Sequence, residues 1–438
     1  MGGSLRAMKL VHAADLHLDS PLRGLQSRSE VPLTRVRTAT RAALANLVDL
    51  CIAEDAGLLL IAGDVYDGDW RDYSTGLYFA HQMGRLREAG VQVAMIRGNH
   101  DAASQISKSL RLPENVRELS SKRAESAIFE SLGVIVHGQS FANRAVTQNL
   151  SQSYPERVPS LLNVGLLHTS VTGRSGHEPY APCSLSDLRS KGYDYWALGH
   201  VHAHEVLSRE PWVVFPGNLQ GRHARETGEK GAMLVEYDAG GIRSAELRSV
   251  DVVRYAQCTL DLGDVRDWDA ALDRVRPLLA RELAQADGRV LGVRVRVVGS
   301  TRLHARLRAD EEAFLQNLRV QVQDIASDEL WIEKLQVETR PETAAATSHD
   351  DGAIAELLSA IAGQREDAAV LTQLAQELSE LRSKLPPELR EGEDGMRIED
   401  PAFIARELDA ALAILASRLG DVPQPSAAGR SGSEVADS

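Results

Sequence analysis

Leu10-Val11-His12-Ala13-Ala14-Asp15-Leu16-His17 decides how this chain is read. It is an apolar run of strand length that ends, with no spacer, on an aspartate and a histidine one residue apart. The pattern recurs. Residues 58–62 run into Gly63-Asp64-Val65-Tyr66-Asp67, 91–96 into Arg97-Gly98-Asn99-His100-Asp101, 164–167 into His168, and 195–198 into Gly199-His200-Val201-His202. Short apolar runs bounded by Gly, Asn or Asp read as strands. Further runs stand at 134–136, 212–215 and 232–235, and helical patterns at 35–54 and 74–89 fall between. Such alternation predicts an α/β domain with helices covering sheets. In that class ligands gather where the carboxyl ends of strands meet loops, so five polar motifs at strand ends can converge on one point.

Composition narrows the class. With 438 residues, the chain is too long for one small module at about 100–200 residues per domain. Its 43% hydrophobic and 25% charged residues fit a globular protein and exclude collagen-like or wholly disordered chains. No apolar run approaches the ~18 residues of a membrane span, and residues 1–10 carry no secretion signal. Cys51, Cys183 and Cys258 are far apart and form no Cys-x-x-Cys pair, so a disulfide framework or a thiolate zinc site is not expected; a reducing cytoplasm is. Nearly all of the net charge of −13 lies in the last quarter. The rest is close to neutral, which argues neither for nor against a nucleic-acid substrate.

The residue types indicate the chemistry. Asp, His and Asn offer compact oxygen and nitrogen donors, borderline ligands suited to Mn, Fe or Zn. Two such ions about 3.5–4 Å apart make a clamp for phosphoryl hydrolysis. Singly the motifs are weak: Asp-x-His at a strand end is commonly incidental, Gly-Asp is commonly a turn, and a lone His168 is commonly a capped core histidine. Gly-Asn-His-Asp and Gly-His-x-His carry more weight, and the ordered set of five carries most.

That order, D-x-H, G-D, G-N-H-D, H, G-H-x-H, resembles the calcineurin-like metallophosphoesterases. Asp15-Leu16-His17-Leu18 with Gly63-Asp64-Val65-Tyr66-Asp67 is similar to the nuclease subunit of the bacterial SbcC–SbcD type of DNA repair complex. Phe215-Pro216-Gly217-Asn218-Leu219-Gln220-Gly221-Arg222, then Arg225-Glu226-Thr227-Gly228, is similar to its YhaO-like branch. The resemblance implies an α/β fold in which a two-sheet β-sandwich is flanked by helices, with a small α+β capping domain and C-terminal helices. It implies two divalent ions, manganese foremost. Asp15, His17 and His202 would hold one, Asn99, His168 and His200 the other, with Asp64 bridging. His100 would orient or protonate the leaving oxygen, and Asp101 would orient His100 or merely cap its loop. Some members carry a second histidine where this chain has Asp67, which leaves Asp67 either a loop acid or a functional one. His204 reads as structural or supporting, and His12, His81, His137, His177 and His223 as structural.

The domains expected are 8–245 for catalysis, 251–340 as a cap that may touch DNA, 351–420 as a helix–loop–helix and 421–438 as a disordered tail. Arg23, Arg97, Arg174, Arg222 and Arg225 lie near motif loops and are candidates for phosphate contact. Arg294 and Arg296, followed by Arg302, Arg306 and Arg308, form a stripe that reads as a DNA footprint or an edge-strand charge pattern. Residues 354–361 and 371–385, then Phe403, Ile404, Leu408, Leu412, Leu415 and Leu419, mark amphipathic helices. These pack as a hairpin or, as the resemblance implies, dock on an SMC-like ATPase. The expected function is metal-dependent DNA exonuclease/endonuclease activity in DNA repair, as a homodimer. The alternatives are a phosphoesterase of small phosphodiesters or nucleotides and an inert structural subunit.

Overall fold

A computed structural model describes residues 7–20, 33–67, 73–103, 110–171, 180–326, 329–342 and 367–378, with single positions and short pieces between 384 and 411. Contacts divide the chain into two compact units, Met1–Gln257 with Ala280–Arg294 and Ala326–Glu333, and Cys258–Leu279 with Val295–Ile325 and Lys334–Ser438.

The first unit is built on two sheets. In chain order the strands are β1 (Met8–Ala13), β2 (Leu58–Ala62), β3 (Gln92–Ile96), β4 (Val116–Glu118), β5 (Glu125–Phe129), β6 (Val134–Gly138), β7 (Leu162–His168), β8 (Tyr195–Gly199), β9 (Glu205–Arg209), β10 (Trp212–Phe215), β11 (Gly231–Asp238) and β12 (Gly241–Ser249). One sheet has the order β12-β11-β1-β2-β3-β4 and the other β5-β6-β7-β8-β10-β9. In both the central strands are parallel, Leu10 opposite Leu58 and Val164 opposite Tyr195, and antiparallel strands close the flanks.

The alternation of side chains explains why these strands read as unbroken apolar runs. Leu10, Leu58, Leu60, Ala94 and Ile96 face Val136, Val164, Leu166, Tyr195 and Ala197 in a core between the sheets. Their sequence neighbours Val11, Ala13, Leu59, Ile61 and Val93 pack with Ala43, Leu44 and Leu47 of the helix Ala39–Ala53 and Phe79 and Met83 of the helix Ser74–Glu88. On the far side Leu167, Trp196, Leu198 and Phe215 pack with Phe141, Tyr193 and Leu188. A strand buried on both faces has no polar side to alternate. The result is the expected sandwich of two sheets flanked by helices. The edge strands β4, β5, β9 and β12 are not anticipated from hydrophobic runs, because their exposed faces carry residues such as Arg117, Glu125, Arg209 and Arg243.

Residues 251–340 mix strands with the helices Trp268–Gln285 and Glu311–Ala326. In the first unit Val253, Tyr255, Val290 and Trp331 pack together with Val36 and Ala224. In the second, Trp268 meets Phe314 edge-on and Arg306 lies 4.3 Å from the Trp268 ring centre. The arginine stripe is largely neutralised. Arg294 pairs with Glu333, Arg296 with Glu338, Arg302 with Glu342 and Arg308 with Glu311. Farther on, the helix Ala368–Glu377 is capped by Asp367 and shares an apolar cluster, Leu371, Leu374, Ile398, Ile404 and Leu408, with the next helical piece. These apolar residues therefore pack on one another. Residues 1–6, 343–366, 381, 385, 412, 415, 419 and the tail 421–438 lie outside the described residues, as do Arg23, Arg174 and His177.

Gly165 of β7 lies directly under the indole of Trp196, and a Cβ there would overlap the ring. Gly165→Ala should destabilise the protein by about 1–3 kcal/mol, the range for overpacking a close-packed core. Urea unfolding checks this, and an unchanged midpoint refutes it.

Candidate metal centre

The parallel register brings the carboxyl ends of β1, β2 and β3 level with one another and those of β7 and β8 level on the opposing sheet. The loops leaving them are stitched together by backbone. Asp15 N–H donates to Gly63 O, His17 N–H to Asp64 O and Leu18 N–H to Val65 O. Asp15, His17, Asp64 and His200 all have positive φ, at 52°, 43°, 53° and 103°. Residues with side chains hold this conformation at a cost of order 1–3 kcal/mol each, and such outliers concentrate at functional sites. Gly63 and Gly98 meet closely in the same loops, and a Cβ on Gly98 would strike the Asp64 carboxylate.

Asp15, His17, Asp64, Asn99 and His168 are buried, and His200 and His202 half-buried. Their ligand atoms face one another. His168 Nδ1 lies 2.9 Å from the Ala62 carbonyl, which can only accept, so the proton sits on Nδ1. The Nε2 lone pair then faces Asn99 Oδ1 at 2.9 Å and Asp64 Oδ2 at 3.4 Å, acceptors both. Across the site His202 Nδ1 is 2.7 Å from Glu226 Oε1, which turns the Nε2 lone pair toward His17 Nε2 at 3.2 Å and Asp15 Oδ1 at 4.0 Å. His17 Nδ1 is buried and has no hydrogen-bond partner. The His200 ring stands edge-on to His168, 5.3 Å between centres, and its N–H donates to Asp15 Oδ2 at 2.9 Å. Two groups, Asp15/His17/His202 and Asp15/Asp64/His168, each have ligand atoms within 4.8 Å of one another. Lone pairs converging without protons between them are what a divalent cation relieves, so the donor set fits metal ions.

Electrostatics agree. Burial, reinforced by Asp64, pushes the Asp15 carboxyl well above its ordinary range, and burial raises Asp64 to about 6. Burial also keeps His17 and His168 neutral, His168 pushed down to about 3. Neutral imidazoles are the ligating form, and bound cations would reverse the cost of the buried carboxylates.

His100 stands at the edge of this cluster, its ring 5.0 Å from that of His17. Its Nδ1 is 2.8 Å from Asp67 Oδ1. That hydrogen bond raises the imidazole's pKa and holds Asp67 down at about 2, and Ser20 donates to the other oxygen at 2.6 Å. Asp67 is thus the carboxylate that fixes His100. Asp101, expected to do so, instead accepts the backbone N–H groups of Val65, Tyr66 and Gly98, tying the second motif loop to the third. Its buried carboxyl is raised to about 7 by desolvation and by Asp64.

Glu226 carries no role in the motif reading, yet it accepts from His202, Asn218 and Arg222 at once. Burial raises its pKa, but the His202 hydrogen bond and Arg222 outweigh this and hold it below the carboxylate range. The signal for it lay in the quoted stretch after Phe215, where no strand-end rule applies. His204 is structural, its Nδ1 on the Phe215 carbonyl, and so is His12, buried between Tyr195 and Leu198 O.

Comparison with known proteins agrees with this geometry. Residues 8–204 match the profile of the Calcineurin-like phosphoesterase family, and residues 255–340 that of "Metallophosphoesterase YhaO, middle domain". The chain is 35% identical over 281 residues to the uncharacterized metallophosphoesterase YhaO of Bacillus subtilis (strain 168), covering 63% of this chain and 69% of that protein. It is 30% identical over 281 residues to the DNA double-strand break repair protein Mre11 of Methanopyrus kandleri, covering 56% and 57%. The corresponding protein of Sulfurisphaera tokodaii is 23% identical over 275 residues, covering 59% and 67%.

Asp64→Asn tests the centre with opposite signs in two conditions. With chelator at pH 7.5 the variant should be more stable than the parent by roughly 2 kcal/mol. It removes a buried carboxylate whose folded pKa lies above its unfolded value, so ionisation disfavours the fold. With excess Mn2+ the parent should gain stability by mass action and the variant should gain little. Thermal unfolding in both buffers reads this, and equal metal-dependent gains refute it.

Proposed function

The chain belongs to the calcineurin-like phosphoesterases, and we propose that it is a metal-dependent DNA nuclease that hydrolyses phosphodiester bonds. The observation that carries the reading is the convergence of unprotonated acceptors around Asp64 and Asp15 beside a carboxylate-oriented histidine. Asp15, His17 and His202 would hold one divalent ion, Asn99, His168 and His200 the second, and Asp64 would join them, with Mn2+ the favoured metal. Such ions supply Lewis acidity and a lowered pKa for attacking water. The chain's own residues do the rest. Glu226 keeps the His202 proton on Nδ1 and its lone pair directed inward. Asp67 holds His100 Nδ1, which leaves Nε2 to pass a proton to the leaving oxygen of the scissile bond. Asp101 keeps the loops of Asp64 and Asn99 in register.

DNA is favoured as substrate because two relatives are named as DNA double-strand break repair proteins. The residues beyond 251 would then cap the site. The C-terminal helices would dock on an SMC-like ATPase, and the active form would be a homodimer. A second reading, hydrolysis of small phosphodiesters or nucleotides, is favoured by one observation: the cap arginines are paired with glutamates rather than presented as a basic stripe.

A cleavage assay on the full chain decides between them, with Mn2+ or Mg2+, on linear single- and double-stranded DNA and on a chromogenic phosphodiester. Both substrate classes should be cut, faster with Mn2+. His100→Ala should lower turnover by about 10²–10⁴-fold with unchanged Mn2+ stoichiometry. Cleavage of the chromogenic diester alone establishes the second reading, and no diester cleavage at all overturns both.

A further inference from the structure

The metal ligands account for the negative and neutral groups of the site but not for its one described guanidinium. Arg222 follows the Pro216–Gly221 turn and is fixed at its backbone, where its N–H donates to Glu226 Oε2 at 2.7 Å. Its side chain reaches over the site and is held loosely at every point. NH1 is 3.5 Å from Asp67 Oδ2, Nε 3.9 Å from Glu226 Oε1, and NH2 3.4 Å from His202 Nδ1, whose proton is already given to Glu226. Arg222 Nε is buried with no hydrogen-bond partner. A guanidinium whose role was to neutralise Asp67 or Glu226 would form the short, parallel two-point contact that arginine makes with carboxylates. Arg41 does so with Asp19, at 2.8 and 2.5 Å. Arg222 instead hovers between two carboxylates, one of which fixes His100 and the other His202. Among the other arginines near the motif loops, Arg97 is drawn 3.0 Å from Glu118.

We infer that Arg222 is a substrate-binding residue, its fork gripping a non-bridging oxygen of the phosphate that lies between the metal centre and His100. The inference rests on the phosphodiester reading and adds the group that would recognise the phosphate itself. Asp67 and Glu226 aim the fork without saturating it, so an arriving phosphate gains charge-assisted hydrogen bonds that no tighter partner must give up. This also gives Asp67 a second task where some relatives carry histidine: it orients the proton-transfer group and the anion clamp together.

The test compares parent, Arg222→Met and Arg222→Lys in the Mn2+-loaded full chain. Arg222→Met should bind Mn2+ with parental stoichiometry by calorimetry. It should weaken competitive inhibition by inorganic phosphate and raise KM for the chromogenic phosphodiester, each by about 10–100-fold, the worth of a charged hydrogen bond. Arg222→Lys keeps the charge but not the fork, and should recover only part of the loss. Unchanged phosphate inhibition and KM in Arg222→Met overturn the inference. So does a phosphate loss that tracks lost Mn2+, since Arg222 would then act through the metal cage. Both readouts use a small diester, so failure on DNA with intact diester hydrolysis sinks only the nuclease reading.

Discussion

Everything in the first unit is arranged around a repulsion. Asp15, Asp64, Asn99, His17, His168 and His202 present lone pairs to one another at distances where a proton would normally stand between. The protons are elsewhere because the Ala62 carbonyl and the Glu226 carboxylate take them on the far nitrogens. Left-handed backbone at four of the site positions shows the chain holding a shape it would not adopt locally. The opposed sheets, closely packed through Leu60, Ala94, Leu166 and Ala197, supply the rigidity that keeps such groups together.

Much of this was legible in the sequence. A strand buried on both faces is a run of apolar residues, and a polar motif placed directly at its end has one place to go, the common carboxyl edge of a parallel sheet. That reasoning found the sandwich and each residue that the structure draws into the acceptor cluster. It failed where position is not tied to a strand end. Asp101 follows His100 in sequence, but the short helix at 99–103 turns its side chain toward the amides of Val65 and Tyr66. Asp67, three positions beyond Asp64, comes round to His100 instead. Glu226 was invisible because its partner, His202, is twenty-four positions away across a turn. The half-exposed edge strands were missed for the complementary reason, their polar faces breaking the apolar signal.

The region beyond residue 251 shows how charge counting misleads. Arginines on alternate positions of a strand look like a surface for an anion. In the fold, glutamates of Leu330–Val337 and of the residues just after it meet them, and the stripe becomes cross-strand ion pairing. Affinity for a polyanion would have to come from elsewhere in the molecule, and the unsaturated guanidinium of Arg222 is the one such feature identified among the described residues of the metal pocket.

Asp15, Asp64 and Asn99 leave one sheet and His168, His200 and His202 the other. On the proposed assignment each ion would therefore be a rivet between the two halves of the sandwich, not an ornament on one of them. Cohesion and turnover would rise and fall together with metal supply, so a starved cell would hold a looser, more protease-sensitive molecule rather than a sound but idle one.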